Sequence, residues 1–153
     1  MIRIFRSLTT EVARDDAFAL VADFSNLTKW DPGIASSSRL DDGPLAVGAR
    51  FEVKAKFLGR EIPMTYEVTL FEPPHRIVLE GIAPNLRAVD DIRFGESGKE
   101  TRIDYHADFY LLGALKWTER LAKPAFDRLA NRAMSGMSGA LSNRVDSTWK
   151  RTA

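Results

Sequence analysis

The spacing of hydrophobic residues along the chain changes from alternating to helical, back to alternating, and again to helical. Residues 2–12 favour a first strand. Residues 14–30 then carry apolar positions at helical spacing, and the sequence Trp30-Asp31-Pro32-Gly33 interrupts regular structure. From 34 to 111 apolar and polar residues alternate, which is typical of strands with one buried face. The sequence therefore predicts one strand, two short helices and a run of strands joined by turns.

Two of these strands show the alternation most clearly. Residues 51–57 place apolar side chains on one face, and Gly59 lies in the turn to the next strand, 62–70. In that second strand the predicted inward side chains are Ile62, Met64, Tyr66, Val68 and Leu70. Because short turns pair each strand with its sequence neighbour, we expect an antiparallel sheet with one wet face and one dry face.

A long C-terminal helix is the element that covers the dry face. Within residues 115–146 the apolar positions at helical spacing are Phe126, Leu129, Ala130, Ala133, Met137, Ala140, Leu141 and Val145. Pro124 predicts a break or kink just before it, because proline fits best in a first helical turn. The remaining helix would be roughly 33 Å long, about the length of a ten-residue strand. We therefore expect a single α+β domain, residues 1–153, with one helix lying along a curved sheet.

Composition and charge narrow the classes of partner. The 22 Lys and Arg residues nearly balance 21 Asp and Glu, so the net charge is +1, and nucleic-acid binding through gross positive charge is not expected. The absence of cysteine excludes disulfides, thiolate zinc sites and a cysteine nucleophile, and it fits a reducing cytoplasm. No apolar run approaches the roughly 18 residues of a membrane helix, and the first residues lack a signal-peptide core. The expected location is cytoplasmic.

The charge is unevenly distributed along the chain. Residues 114–153 hold eight basic side chains and three acids, which gives +5 for the final helix and tail. Such a pattern is typical of the solvated back of an amphipathic helix. The alternative is a weak contact of this basic helix with an anionic membrane surface or an acidic partner.

Several short motifs together resemble one protein family. They are Phe24-Ser25-Asn26-Leu27, Trp30-Asp31-Pro32-Gly33, Val47-Gly48-Ala49-Arg50-Phe51, Phe71-Glu72-Pro73-Pro74-His75-Arg76-Ile77, Thr101-Arg102-Ile103-Asp104-Tyr105 and Leu112-Gly113. With the order of elements, they resemble the START-like SRPBCC superfamily, and within it the polyketide cyclase/dehydrase and lipid-transport family. The resemblance covers nearly the whole chain. It implies a helix-grip fold, in which a curved seven-stranded antiparallel sheet wraps around the C-terminal helix, and a hydrophobic cavity between them that holds an apolar small molecule or lipid.

Small residues on the predicted helix bear on whether such a cavity exists. Ala130, Ala133, Gly136 and Ala140 face the sheet and either leave volume for a ligand or allow close helix–sheet packing without a void. With the cavity that the resemblance implies, the expected ligand contacts are Trp30, Phe51, Val53, Met64, Tyr66, Val68, Leu79, Asp90, Ile92, Tyr105, Phe109, Phe126, Ala130, Ala133 and Met137.

Few polar groups are expected inside the cavity. If the hairpin turns at 95–98, Asp90 lies near Tyr105 on the inward face, and Tyr66 points into the same space. A buried carboxylate beside phenols orients a ligand hydroxyl or carbonyl, or acts as an acid or base with a raised pKa. The alternatives are a purely structural hydrogen bond from Tyr105 to Asp90, or a slipped register that exposes Asp90 and buries Val89.

Each of the three tryptophans has a functional and a purely structural interpretation. Trp30 either shelters a ligand at the cavity rim or plugs the edge of the core. Trp117 and Trp149 flank the long helix and could contact the cavity mouth, a membrane or the second copy of a homodimer; packing on the protein surface is the alternative.

No motif for a metal or a nucleotide cofactor is found. His75 and His106 lack a second ligand at metal-binding spacing, the helical serines at 135, 138 and 142 lack a nucleophile elbow, and no glycine-rich phosphate loop occurs. We therefore predict neither a metal nor another cofactor.

Two functions remain. The inward faces of 51–57 and 62–70 carry no charged residue, although aromatases and cyclases of the resembled family rely on polar or cationic cavity groups. This departure favours non-catalytic binding or transport of a hydrophobic small molecule or lipid. The alternative is an enzyme of the polyketide cyclase, dehydratase or isomerase type, with Asp90 as acid–base and Tyr66 and Tyr105 as orienting groups.

Overall fold

A computed structural model describes the backbone of residues 1–152 and the side chains of residues 1–145. The predicted order of one strand, two short helices, further strands and a long helix is confirmed. The elements are β1 (Ile2–Thr10), α1 (Arg14–Val21), a 3₁₀ turn (Phe24–Asn26), α2 (Leu27–Trp30), β2 (Ile34–Arg39), β3 (Arg50–Phe57), β4 (Arg60–Glu72), β5 (Arg76–Ala83), β6 (Leu86–Ser97), β7 (Glu100–Leu111), a second 3₁₀ turn (Gly113–Thr118) and α3 (Glu119–Thr152).

The strands form one seven-stranded antiparallel sheet in the order β1-β7-β6-β5-β4-β3-β2. From β2 to β7 each strand pairs with its neighbour in sequence, as short connections require. β1 pairs with β7 and is one edge of the sheet. The β3–β4, β5–β6 and β6–β7 turns each span two residues, and in the first Phe57 pairs with Arg60 across Leu58 and Gly59. Leu58 and Gly59 both have positive φ, 50° and 77°, as a type I′ turn requires. The Leu58 side chain at this turn is exposed.

A bulge in β4 changes one predicted inward position. The register with β5 shifts between Val68 and Leu70, so the alternation that holds from Ile62 to Val68 does not continue. Beyond the bulge Phe71, rather than Leu70, packs on the core, where its ring centroid lies 5.8 Å from that of Phe18. One extra residue moves all following side chains to the other face, which an alternation pattern cannot anticipate.

The long helix is not interrupted where the sequence suggested. α3 begins at Glu119 and runs through Pro124, so a break before this proline, one form of the prediction, is wrong, and the kink stays a prediction. Pro124 cannot donate to the carbonyl of Arg120, one turn earlier. Both residues are exposed, so water can reach that carbonyl and the helix tolerates the missing bond. Among the described helices, none combines the length and the apolar composition needed to cross a bilayer.

The space between helices and sheet divides into two parts. One end is a packed core beneath α1, the first 3₁₀ turn and α2. There Phe24 lies between Phe51 and Tyr66, with ring centroids 6.2 and 5.2 Å away, and Phe18 lies 5.1 Å from Phe94. The other end lies beneath the first half of α3, where the sheet and the helix enclose open space.

Gly136 holds α3 against α2. A Cβ at this position would lie 2.0 Å from the carbonyl oxygen of Trp30 and 2.9 Å from the ring of Pro32. Gly136 therefore serves close packing and does not line the open space, contrary to its predicted role beside Ala130 and Ala133. The lack of a side chain provides room for another backbone here, not for a ligand.

Candidate ligand-binding cavity

The open space is a cavity of about 840 Å³ between the sheet and the first half of α3. β3 to β7 supply most of the sheet wall, and the edge strand β1 adds Ile4 and Arg6. α3 contributes one face from Leu121 to Met134. Most of the wall is aliphatic or aromatic, which is the character of a site for an apolar ligand.

About half of the predicted ligand contacts lie in the cavity wall. They are Met64, Tyr66, Asp90, Tyr105, Phe109, Phe126, Ala130 and Ala133. Phe126 is central to the aromatic part of the wall, because its ring centroid lies 5.3 Å from that of Phe57 and 4.6 Å from that of Phe109. The small Ala130 and Ala133 leave the space that the sequence suggested.

The other predicted contacts lie outside the wall and belong to the packed core. They are Trp30, Phe51, Val53, Val68, Leu79, Ile92 and Met137. All have 2% or less of their surface exposed. Alternation indicates which face of a strand a residue occupies, but not how far along the strand the core ends and the cavity begins. Trp30 is therefore the core plug that was its alternative interpretation.

Sequence reasoning also missed part of the wall. The missed positions include Ile4, Ala55, Phe57, Leu86, Ala107 and Leu129. Ala55 and Ala107 each lie two residues closer to the open end than a predicted contact, Val53 and Tyr105, on strands whose alternation was recognised. Alternation therefore identified the inward face of these strands, and the sheet register was needed to show which inward positions line the cavity.

The cavity opens where the β3–β4 turn approaches the start of α3. Leu58 is 80% exposed and Leu121 85% exposed, yet both line the cavity, as does Leu115 on the second 3₁₀ turn. Trp117 on the same turn is 82% exposed. We call Leu58, Leu115, Trp117 and Leu121 the mouth cluster. Lys116 lies against Trp117, with its Nζ 5.1 Å from the indole centroid, so a cation adjoins this apolar edge. The side chain of Trp149 lies outside the described residues.

Three polar side chains mark the inner end of the cavity. Tyr66 on β4, Asp90 on β6 and Tyr105 on β7 line it. The next inward positions, Val68 and Ile92, are core residues with no more than 1% of their surface exposed. We call Tyr66, Asp90 and Tyr105 the polar layer. It forms the boundary between packed core and open cavity.

Asp90 accepts a short hydrogen bond within the polar layer. The Tyr105 hydroxyl donates to Asp90 Oδ1 over 2.6 Å, as the predicted hairpin pairing required. Asp90 is 2% exposed and Val89 is half-buried, so the alternative slipped register is excluded. The second oxygen, Oδ2, is buried without a hydrogen-bond partner among the described residues. Asp90 therefore presents one unused acceptor at the inner end of an apolar cavity.

Burial dominates the acid–base properties of the polar layer. Removal from water raises the pKa of Asp90 to about 6, against the lowering effect of the Tyr105 hydrogen bond and the nearby Tyr66 hydroxyl. The negative charge of Asp31 adds to the increase. For Tyr105 and Tyr66, burial and the nearby carboxylate raise the hydroxyl pKa well above 10. Both phenols therefore stay protonated, while Asp90 changes charge near neutral pH.

Tyr66 is positioned by a glycine on the neighbouring strand. Gly81 pairs with Tyr66, and a Cβ at Gly81 would lie 2.5 Å from the Tyr66 ring. The outer end of the Tyr66 ring therefore lies against the Gly81 backbone, and its hydroxyl is near enough to Asp90 to lower the pKa of that carboxyl. No sequence signal had connected these two residues.

Two other ionisable groups of the wall, Arg6 and Asp31, have partners elsewhere in the protein. Arg6 binds Asp127 and Asn131 on α3, with N–O distances of 3.2 and 2.8 Å, so this inward cation connects the edge strand to the helix. Asp31 accepts a hydrogen bond from the Gly33 amide, and burial raises its pKa. Within the part of the chain that the structure describes, no three His, Cys, Asp or Glu side chains are grouped to hold a metal.

Comparison with known proteins identifies relatives of this architecture. A family-wide sequence model described as "Polyketide cyclase / dehydrase and lipid transport" matches residues 1–144. A search among curated proteins finds no significant match.

Solved structures share the fold at low sequence identity. TTHA0849 from Thermus thermophilus is 12% identical, with a TM-score of 0.78 over 93% of this chain and 98% of that one. The Zhui aromatase/cyclase from Streptomyces sp. R1128 is 15% identical, with a TM-score of 0.73 and coverage of 94% and 93%. A START superfamily protein from Mycobacterium smegmatis is 13% identical, with a TM-score of 0.73 and coverage of 95% and 98%. At these identities the likeness concerns the fold alone.

Proposed function

The chain belongs to the polyketide cyclase/dehydrase and lipid transport family, and we propose that it binds or carries a hydrophobic small molecule or lipid. The observation that supports this function is the cavity of about 840 Å³ with mainly apolar walls. Ligand sites typically occupy about 300–1,000 Å³, so this cavity is near the large end of the range. At roughly 30 Å³ per non-hydrogen atom in a liquid, it accommodates a ligand of about 28 non-hydrogen atoms.

Displacement of a fluorescent probe tests this function. N-phenyl-1-naphthylamine, which fluoresces strongly only in apolar surroundings, should bind the wild-type protein with a one-to-one stoichiometry. Long-chain alcohols should displace it. Native mass spectrometry after gentle purification should also show bound lipid if the cavity is occupied in cells. A wild-type protein that binds neither the probe nor a lipid contradicts the proposal.

A cavity-filling variant tests whether the probe binds in this space. Ala130 lines the cavity, so Ala130→Phe places a ring inside it and should weaken probe binding at least tenfold. Ser135→Phe adds a similar ring on the exposed face of the same helix and is the matched control. Equal affinity of the two variants would show that the probe binds elsewhere.

We also propose that the cavity mouth contacts an anionic membrane surface, which was the alternative interpretation of the basic C-terminal segment. The mouth cluster exposes several large apolar side chains beside the cavity entrance, and Lys116 and Arg120 are exposed on the same segment. Apolar residues that enter the headgroup region, flanked by cations that attract anionic lipids, make a typical interfacial site. The other occupant to consider is a second copy of the chain, the homodimer that the sequence left open.

An enzymatic function is the second candidate. Asp90 favours it, because an acid with a pKa of about 6 and a free oxygen in a cavity can exchange a proton with a ligand. The reaction that fits is dehydration of a β-hydroxy ketone, in which Asp90 takes a proton from the α-carbon and returns it to the departing hydroxyl as water. The Zhui aromatase/cyclase has the same fold.

The dehydration candidate has a direct test. Wild-type protein incubated with a medium-chain β-hydroxy ketone should form the enone, detected by its ultraviolet absorbance, and Asp90→Asn should abolish the reaction. Turnover that is absent, or equal in the two proteins, rejects the enzymatic candidate and leaves the binding function in place.

A further inference from the structure

The unpartnered oxygen of Asp90 says something about the ligand. Asp90 lines the cavity, and its Oδ2 is buried without a hydrogen-bond partner among the described residues. The other carboxylate oxygen accepts from Tyr105, and the nearby Tyr66 hydroxyl lowers the pKa of Asp90 without a hydrogen bond to Oδ2. Buried acceptors in folded proteins are nearly always paired, so this oxygen needs an explanation. A donor that enters with the ligand would supply the missing hydrogen bond.

Among the side chains that the structure describes, no cation pairs with this oxygen. Arg6 is the basic residue on the inward face of β1, level with Tyr105, but it is bound to Asp127 and Asn131 on α3. Asp31, a carboxylate of the wall that raises the pKa of Asp90 by its charge, disfavours any further negative charge at this end. The inner end of the cavity is therefore suited to a donor and unsuited to an acid.

The position of Asp90 determines which part of a ligand reaches it. The polar layer adjoins the packed core, whereas the mouth cluster is at the opposite end of the cavity. From the polar layer to the mouth the sheet wall includes Met64, Ala107 and Phe109, which offer only apolar surface. A molecule that enters through the mouth would reach Asp90 with its leading end while its body contacts apolar side chains.

We propose that the cavity selects apolar ligands whose leading end carries a hydrogen-bond donor, a hydroxyl or a protonated amine, which donates to Asp90 Oδ2. This inference rests on the proposed function and specifies its ligand class. A hydrogen bond to a charged acceptor is worth a factor of about 10 to 100 in affinity, and the methyl ether of an alcohol cannot make it. Ligands with a carboxylate at the leading end should be excluded by the negative charge of Asp90.

Four probes of nearly equal size test the proposal by displacement of N-phenyl-1-naphthylamine at pH 8. They are 1-dodecanol, dodecylamine, 1-methoxyundecane and undecanoic acid. We expect the alcohol, the amine or both to bind at least tenfold more tightly than the ether, and the acid to bind no better than the ether. Equal affinity of alcohol, amine and ether overturns this inference but leaves apolar binding intact. Failure of all four, and of the dye itself, contradicts the proposed function.

Variants assign the preference to Asp90. Asp90→Leu keeps a side chain of similar size without polar atoms and should reduce the ratio between donor ligands and ether to about one. Asp90→Asn, which keeps an acceptor, should lose the preference for the amine and retain part of that for the alcohol. Asp108→Asn, on the outward side of β7 where Asp108 binds Arg3, is the control for removal of a carboxylate. A donor preference that survives in Asp90→Leu overturns the assignment, and the wild-type probe series decides the proposal even if that variant does not fold.

Discussion

At the scale of single residues, Asp90 combines a hydrogen bond from Tyr105 with a buried carboxylate oxygen that has no partner among the described residues. Its pairing with Tyr105 was predicted, because both lie on the inward faces of consecutive strands and the hairpin turn fixes their register. The free oxygen could not be predicted, because it depends on which atoms fill the surrounding space. Gly81 is a similar case, since its contact with the Tyr66 ring depends on a register that no local pattern reveals.

The burial of Asp90 predicts a pH-dependent stability. Its pKa of about 6 in the folded protein exceeds the ordinary value of 3.8, so the folded state binds the proton more tightly than the unfolded state does. The resulting stabilisation is fully present below pH 4 and is lost as the pH rises through 6. Asp90→Asn cannot ionise, so its free energy of unfolding relative to wild type should increase by about 1 to 2 kcal/mol between pH 5 and pH 8.

Urea denaturation of the two ligand-free proteins at both pH values measures this difference. Asp108→Asn, at the half-buried outward position, provides the comparison for a carboxylate outside the cavity. If the stability difference between wild type and Asp90→Asn were the same at pH 5 and pH 8, the raised pKa would be wrong.

At the scale of secondary-structure elements, the sequence predicted the type and order of the elements better than it predicted where a helix begins or a strand changes register. The order of strands and helices followed from hydrophobic period, whereas the bulge before Leu70 and the helix start ahead of Pro124 did not. Both errors have the same cause. Periodicity indicates which face a side chain occupies. It does not indicate where a strand is bulged or a helix begins, because these positions depend on the energies of single backbone hydrogen bonds.

Two glycines in α3 provide a matched prediction for helix docking. Gly136→Ala would place a Cβ 2.0 Å from the Trp30 carbonyl oxygen and should destabilise the protein by roughly 1–3 kcal/mol, because α2 and α3 must separate. Gly139→Ala meets no atom within 4 Å and should stabilise it by roughly 0.5–1 kcal/mol through helix propensity. Thermal or urea unfolding measures both. Two variants that change stability in the same direction would contradict the proposed close contact.

At the scale of the whole molecule, the chain uses its two ends differently. The short helices α1 and α2 fill one end with core side chains, and the start of α3 leaves the other end hollow and open. The pattern of inward-facing residues indicated the fold, whereas the cavity was implied by the family resemblance. The sequence did not indicate where along the strands the cavity lies, since that depends on where each helix crosses the sheet.

The open end also carries the mouth cluster, which predicts membrane binding that depends on charge. Wild-type protein should co-sediment with vesicles of phosphatidylcholine and phosphatidylglycerol, less with phosphatidylcholine alone, and less at high salt, because salt screens the attraction between Lys116, Arg120 and anionic lipids. Trp117→Ser with Leu121→Ser should lower the affinity roughly tenfold or more, since both side chains lose the apolar surface that enters the bilayer.

Val47→Ser is the control for this experiment. Val47 is 63% exposed but precedes β3, whose opposite end carries the cavity mouth. If the mouth is the docking site, this substitution should leave vesicle binding unchanged. Equal loss in the control and the mouth variant would show that exposed apolar surface alone drives binding.

A mouth variant that still binds vesicles but changes from dimer to monomer in sedimentation would identify a second copy of the chain as the occupant. The ligand enters at the same edge of the molecule as the mouth cluster. Loss of vesicle binding in the mouth variant alone would therefore mean that membrane contact places the cavity entrance against the lipid that supplies an apolar ligand.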